Sequence, residues 1–149
     1  LHLSIRRQRQ MCIRDRGLSV ALSCSAAGIA WLSTMSDDEA MTLVAKKGLG
    51  KPEDFGPKAP TSIKGVMTLV KASRQQGFSM IVDVFGPGMS SMAAPVLDFQ
   101  GRAIGVVTIA GPSVRLNAAR MEALGPALLE AAQEVSRAST ASSLFKKCA

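Results

Sequence analysis

The chain has 149 residues, room for one domain with one core, and its 47% apolar content is ordinary for a globular protein and argues against intrinsic disorder. Its net charge of +7 would point to a polyanion partner, but residues 1–16 carry +4 of it, with five arginines and one aspartate, so the body of the chain is only mildly basic. The apolar runs are shorter than the ~20 residues of a membrane-crossing helix, and Cys12, Cys24 and Cys148 are too few and too scattered for a disulfide framework or a zinc site, which fits a soluble, cytoplasmic protein.

Residues 1–16 read as a basic arm outside the domain. Solvated arginines of this kind suit phosphates. Yet Arg9-Gln10-Met11-Cys12-Ile13-Arg14-Asp15-Arg16 resembles a peptide that recurs when sequencing-adapter DNA at a fragment end is translated, so the arm is expected to be non-native and the natural chain to extend upstream. The domain is expected over residues 17–139, with a frayed, serine-rich tail over 140–149.

Leu18 to Ser23 alternates large and small residues and predicts a strand. Ser25 is the expected N-cap of a helix running to about Thr34, and Ser36 followed by Asp37, Asp38 and Glu39 marks a second helix, which Gly48 should stop. Gly48 to Pro60, with three prolines and three glycines, reads as a surface loop. Thr61 then caps a helix whose apolar face holds Ile63, Val66, Met67 and Val70 and which ends at Gly77. Phe78 to Val84 is a strand, and Gly86-Pro87-Gly88 is a turn. Met92 to Leu97 and Ala103 to Ala110, rich in small and β-branched residues, read as two strands. Asp98 and Gly101 between them have hairpin spacing, so the sheet is antiparallel, and Gly111-Pro112 ends the second strand. Asn117 caps a long C-terminal helix with Met121, Leu124, Leu128, Ala131, Ala132 and Val135 as its apolar stripe. Gly125-Pro126 should kink it or divide it in two.

Catalytic chemistry finds little support. The single histidine is His2, in the arm, and tyrosine is absent, so the domain has no imidazole or phenol to act as acid or base or to hold a metal. Ser90 and Ser91 have no base to activate them and read as polar lining. The acidic run at Asp37 to Glu39 reads as a solvated helix start rather than a cation site. Cys24 precedes a helix N-terminus, which would lower its pKa, but it reads better as a buried small hydrophobe. Trp31 reads as a core or dimer contact. No catalytic residue, metal or cofactor is expected. A small-molecule site remains: the first turn at Ala26, Ala27 and Gly28 offers N–H groups behind small side chains, close enough for a carboxylate to dock.

Ala93-Ala94-Pro95-Val96-Leu97-Asp98, Gly101, Ala110-Gly111-Pro112 and Arg115-Leu116 together resemble the C-terminal effector-binding domain of IclR-type transcriptional regulators. Ser25-Ala26-Ala27-Gly28, Asp37-Asp38-Glu39 and Arg74-Gln75-Gln76-Gly77-Phe78 follow the same pattern upstream, in order, across roughly Leu18 to Ser139. The resemblance implies an α+β, GAF-like fold: an antiparallel sheet flanked by helices, one of them long and C-terminal. It implies a pocket for a small organic or aromatic acid between the first helix and the sheet, which falls on Ala26, Ala27, Gly28, Met89, Ser91, Thr108 and Ala110. An often acidic position falls on Ile81, with Asp83 two residues on as the nearest carboxylate, and the helix Gly-Lys is Gly28-Ile29. These departures leave the pocket less polar and favour a bulkier or aromatic acid. The resemblance further implies a homodimer or homotetramer that contacts DNA only through an N-terminal winged helix-turn-helix absent from this chain. A free-standing GAF-like module outside transcription is the alternative, and an enzyme the least supported reading.

Overall fold

The computed structural model describes residues 21–50 and 52–141, so the basic arm and most of the serine-rich tail lie outside the described residues. A 3-10 turn at Leu22–Cys24 leads into α1 (Ala26–Leu32), α2 (Asp37–Lys47), a second 3-10 turn (Pro52–Asp54), α3 (Ile63–Gln76), β1 (Ser79–Val82), β2 (Met89–Leu97), β3 (Ala103–Pro112) and α4 (Ala118–Ala141). Among the described residues the strands form one antiparallel sheet in the order β1-β2-β3.

Most boundaries follow from caps written locally in the sequence. Ser25 Oγ accepts the Gly28 N–H at 3.0 Å and starts α1. Ser36 and Glu39 form a reciprocal capping box on α2, and Gly48 at φ +84° ends it. Gly77 closes α3 in the left-handed region, and the Asn117 side chain accepts the Arg120 N–H at 2.9 Å to cap α4. At the hairpin, Asp98 Oδ1 accepts the N–H groups of Gln100 (2.9 Å) and Arg102 (2.8 Å), with Gly101 at φ +78°, as a tight turn there requires.

Three local expectations are corrected. Ala21 to Ser23 is not strand: the chain turns in 3-10 geometry because it closes against the backbone of α1, while residues 18–20 lie outside the described part. The cap of α3 is Ser62, which accepts the Gly65 N–H at 3.2 Å, rather than Thr61; two neighbouring hydroxyls carried the same signal. Finally, α4 is assigned as one helix through Pro126. Its pyrrolidine sits on the exposed side, and Met121, Leu128 and Ala132 are buried on either side of it, so packing outweighs the roughly 3 kcal/mol that an interior proline costs.

The sheet separates two layers. One face presents Met92, Ala94 and Val96 of β2, with Met80, Val82, Val107 and Ile109 from its neighbours, to Met121, Leu128 and Ala132 of α4. The other presents Ile81, Ala93 and Val106 to Ala26 and Ala30 of α1. Outside α1, the buried residues Ile29, Leu32, Ala40, Val44, Val66 and Val70 join α1, α2 and α3.

Arg74, near the end of α3, braces the α1–α2 junction. Its guanidinium donates to the carbonyls of Ser33 (3.1 Å) and Met35 (2.7 Å) and to the Asp37 carboxylate, with Lys71 3.7 Å from the same group. The Arg74 hydrogen bond holds the Asp37 carboxyl below its ordinary value of 3.8. A depressed carboxylate stabilises the fold above its unfolded pKa, and that contribution disappears as the pH falls through the folded value. The Asp37→Asn variant should therefore lose stability near neutrality and show a flatter acid limb, converging with the parent below the Asp37 transition. Melting curves from pH 7 down to pH 2.5 check this, and parallel acid limbs would contradict it.

Candidate functional site

The strand register determines which side chains share the face toward α1. Residues directly opposite in an antiparallel pair lie on the same side of the sheet. Ile81, Ser91 and Ala110 therefore form one row across the three strands, Ser79, Ala93 and Thr108 form the next, and Met89 stands opposite Pro112. Within each row exposure rises from β1 to β3. Ile81 is 3% exposed, Ser91 half-buried and Ala110 exposed; Ser79 and Ala93 are buried while Thr108 is exposed. Helix α1 lies over this face against all three strands, and the β3 ends of the rows, Thr108 and Ala110, form an exposed shelf.

The Ser91 and Thr108 hydroxyls have no hydrogen-bond partner among the described residues and are open to a ligand. Ser90 does not join them. One residue along, it lies on the opposite face, buried toward α4 with an unpartnered Oγ. Ser90 and Ser91 therefore do not line the same face, contrary to the expectation that both are polar lining of one pocket.

Helix α1 is held over this face by Ser79, whose buried Oγ donates to the Ala26 carbonyl at 2.7 Å and lies 3.3 Å from the Ala93 carbonyl. Ala26 is buried against the sheet and Ala27 is half-buried beside it. Gly28 plays a different part from the one expected. Its N–H is taken by Ser25, and a Cβ there would lie 2.2 Å from the Leu22 carbonyl oxygen, so it is the contact point between α1 and the preceding turn.

Asp83 is also drawn away from the shelf. It lies just beyond β1 at φ +57°, its Oδ1 accepts the Gly88 N–H at 2.8 Å, and its Oδ2 faces Lys58 Nζ at 3.6 Å. The carboxylate organises the β1–β2 turn. Met89, 41% exposed, is at the open end of the face.

Burial pushes the Cys24 thiol up, opposed only in part by Ser23, so the site has no activated thiolate. Among the described residues no three His, Cys, Asp or Glu side chains converge as a metal site, and none of their helices is long and apolar enough to cross a membrane. The face toward α1 thus offers two hydroxyls, Ser91 and Thr108, beside apolar surface.

A family model described as "Bacterial transcriptional regulator IclR C-terminal" matches residues 2–137. The chain belongs to the IclR family. The match takes in most of the basic arm and the α/β body up to residue 137, four residues short of the end of α4. The IclR-family chain is 28% identical over 120 residues to the HTH-type transcriptional regulator BhcR of Paracoccus denitrificans, covering 80% of this chain and 42% of that one. It thus spans less than half the length of that curated relative. Its fold is that of the C-terminal domain of the Escherichia coli transcriptional regulator KdgR, with a TM-score of 0.69 at 23% identity, over 78% of this chain and 69% of that one. The PobR inducer-binding domain from Acinetobacter, solved as a double mutant with 3-hydroxybenzoic acid, gives a TM-score of 0.68 at 21% identity, over 77% of this chain and 65% of that one. The expected fold class, a mixed α/β domain with an antiparallel sheet and a long C-terminal helix, is the observed one. The family is one of transcriptional regulators rather than enzymes.

The sequence reading missed Ser79, which fastens α1 to the sheet, and Lys58, which faces Asp83. Neither had a local signal, because each acts on a partner more than twenty residues away.

Proposed function

We propose that this domain is the effector-sensing and oligomerisation part of an IclR-type regulator and binds a small organic acid, preferably aromatic, on the α1-facing side of the sheet. The observation that carries the reading is the pair of open hydroxyls, Ser91 and Thr108, set on adjacent rows beside the first turn of α1. Their hydroxyls would take the carboxylate or a ring hydroxyl, the Ala26 and Ala27 N–H groups would add donors, and Met89 and Ala110 would supply apolar contact. With Ile81 in the row and Asp83 committed to its turn, no acidic side chain competes with an anionic ligand there. The aromatic acid bound by the PobR domain is of the class this less polar shelf would favour. Ligand binding would shift the population of dimer or tetramer states and so reposition an N-terminal DNA-binding domain, in the cytoplasm.

A thermal-shift titration with benzoate, 3-hydroxybenzoate, pyruvate and glyoxylate tests this. The aromatic acids should stabilise the domain most, and Ser91→Ala with Thr108→Val should weaken binding roughly tenfold, as loss of hydrogen bonds to a charged group predicts. A folded domain stabilised by none of these acids would overturn the assignment.

A further inference from the structure

Beneath the segment 48–61 is a cavity of about 240 Å³, open to solvent on one side. Leu49, Phe55, Ala59 and Pro60 form its apolar walls, the Cys24 thiol part of its floor, and Thr61 its polar edge. None of the shelf residues Ser91, Thr108 or Ala110 lines it. On the sheet side, the partly buried Phe55 and Ala59 pack with Cys24, Ala26, Ile81 and Ala93, the last four each 3% exposed or less.

Hydrogen bonds anchor the segment over this cavity at both ends. The Leu49 carbonyl accepts from Ser23 Oγ at 2.9 Å and Cys24 Sγ at 3.2 Å. At the other end the Gly56 N–H donates to the Val84 carbonyl (2.9 Å) and the Lys58 N–H to the Asp83 carbonyl (3.0 Å). These bonds fix the two ends of the segment relative to the Ser23–Cys24 turn and the end of β1. Among the described residues no charged side chain lines it; Lys58 and Asp83 pair with each other outside, and both lone pairs of the Leu49 oxygen are engaged. An ion placed there would lose its hydration without a counter-group. An uncharged ring would not, and an apolar cavity of about 150 Å³ is already enough to hold benzene.

We propose that this cavity is a second ligand site, separate from the shelf, which takes a small uncharged aromatic molecule of one or two rings. Titration of the whole chain with toluene and with indole tests it. Both should raise the melting temperature saturably, and the rise with indole should add to that with benzoate. Ala59→Phe, which fills the space, should lose the indole response and keep the benzoate response. Should that variant not fold, intermolecular nuclear Overhauser contacts from indole to the Leu49 methyls and the Phe55 ring, measured on the unaltered chain, decide the matter. Absence of a saturable rise, absence of those contacts, or displacement of indole by benzoate would overturn the proposal. A response to indole without one to benzoate would instead sustain this site and reject the acid-sensing shelf.

Discussion

Replacing Gly28 with alanine is expected to destabilise the domain by about 2 kcal/mol, although alanine is the better helix former. The propensity gain is worth about 1 kcal/mol. Against it, the new Cβ would stand 2.2 Å from the Leu22 carbonyl oxygen and 2.5 Å from the Leu22 Cα. These are backbone atoms and cannot rotate away, so either the 3-10 turn or α1 must shift, with an overpacking cost of about 3 kcal/mol, at the upper end of the usual range. Shifting α1 would also pull the Ala26 carbonyl from Ser79. Urea unfolding of the variant measures the balance, and a neutral or stabilised Gly28→Ala would show that the turn yields freely.

The second large effect is expected at the centre of the sheet. Met92 is fully buried on the central strand, in the cluster it shares with Met121, Leu128 and Ala132. Truncation to alanine removes three heavy atoms from a site walled by sheet on one side and α4 on the other, which leaves a cavity and costs about 3 kcal/mol. Val135→Ala, on the same helix stripe in sequence but 43% exposed, should change stability by less than about 0.5 kcal/mol. Equal effects at the two positions in denaturant unfolding would contradict this account of the core.

These contrasts show what the sequence could convey. Features closed within four or five residues were readable: the Ser36–Glu39 box, the Asp98 turn, and the Gly48 and Gly77 stops. The two long strands were readable as well, since small and β-branched residues filled both faces, although β2 begins three residues earlier than expected, at Met89. Val135 shows the limit of periodicity, which counted it into a stripe that the sheet does not reach. Pro126 shows the limit of propensity, because burial on either side of it was not visible locally. Met89, Ser91, Thr108 and Ala110 share one face of the sheet because the short hairpin and the irregularity at Val96/Leu97 set the β2–β3 register. Gly28 and Asp83 took other roles, set by Leu22 and Gly88, since both are small-scale tertiary contacts that no spacing encodes. The cavity under segment 48–61 went unseen for a related reason. Proline and glycine mark that stretch as loop, and only Leu49 and Phe55 within it hint that the loop has an inside.

The ties at Asp83 bear on timing. One residue accepts from Gly88 through its carboxylate and from Lys58 through its carbonyl, while its own N–H donates to the Met89 carbonyl at 2.8 Å. The segment after Phe55 and the β1–β2 turn are thus tied to each other through one residue, the arrangement expected of a unit that opens together. Amide exchange at Gly56, Lys58, Asp83 and Gly88 should therefore report a shared protection.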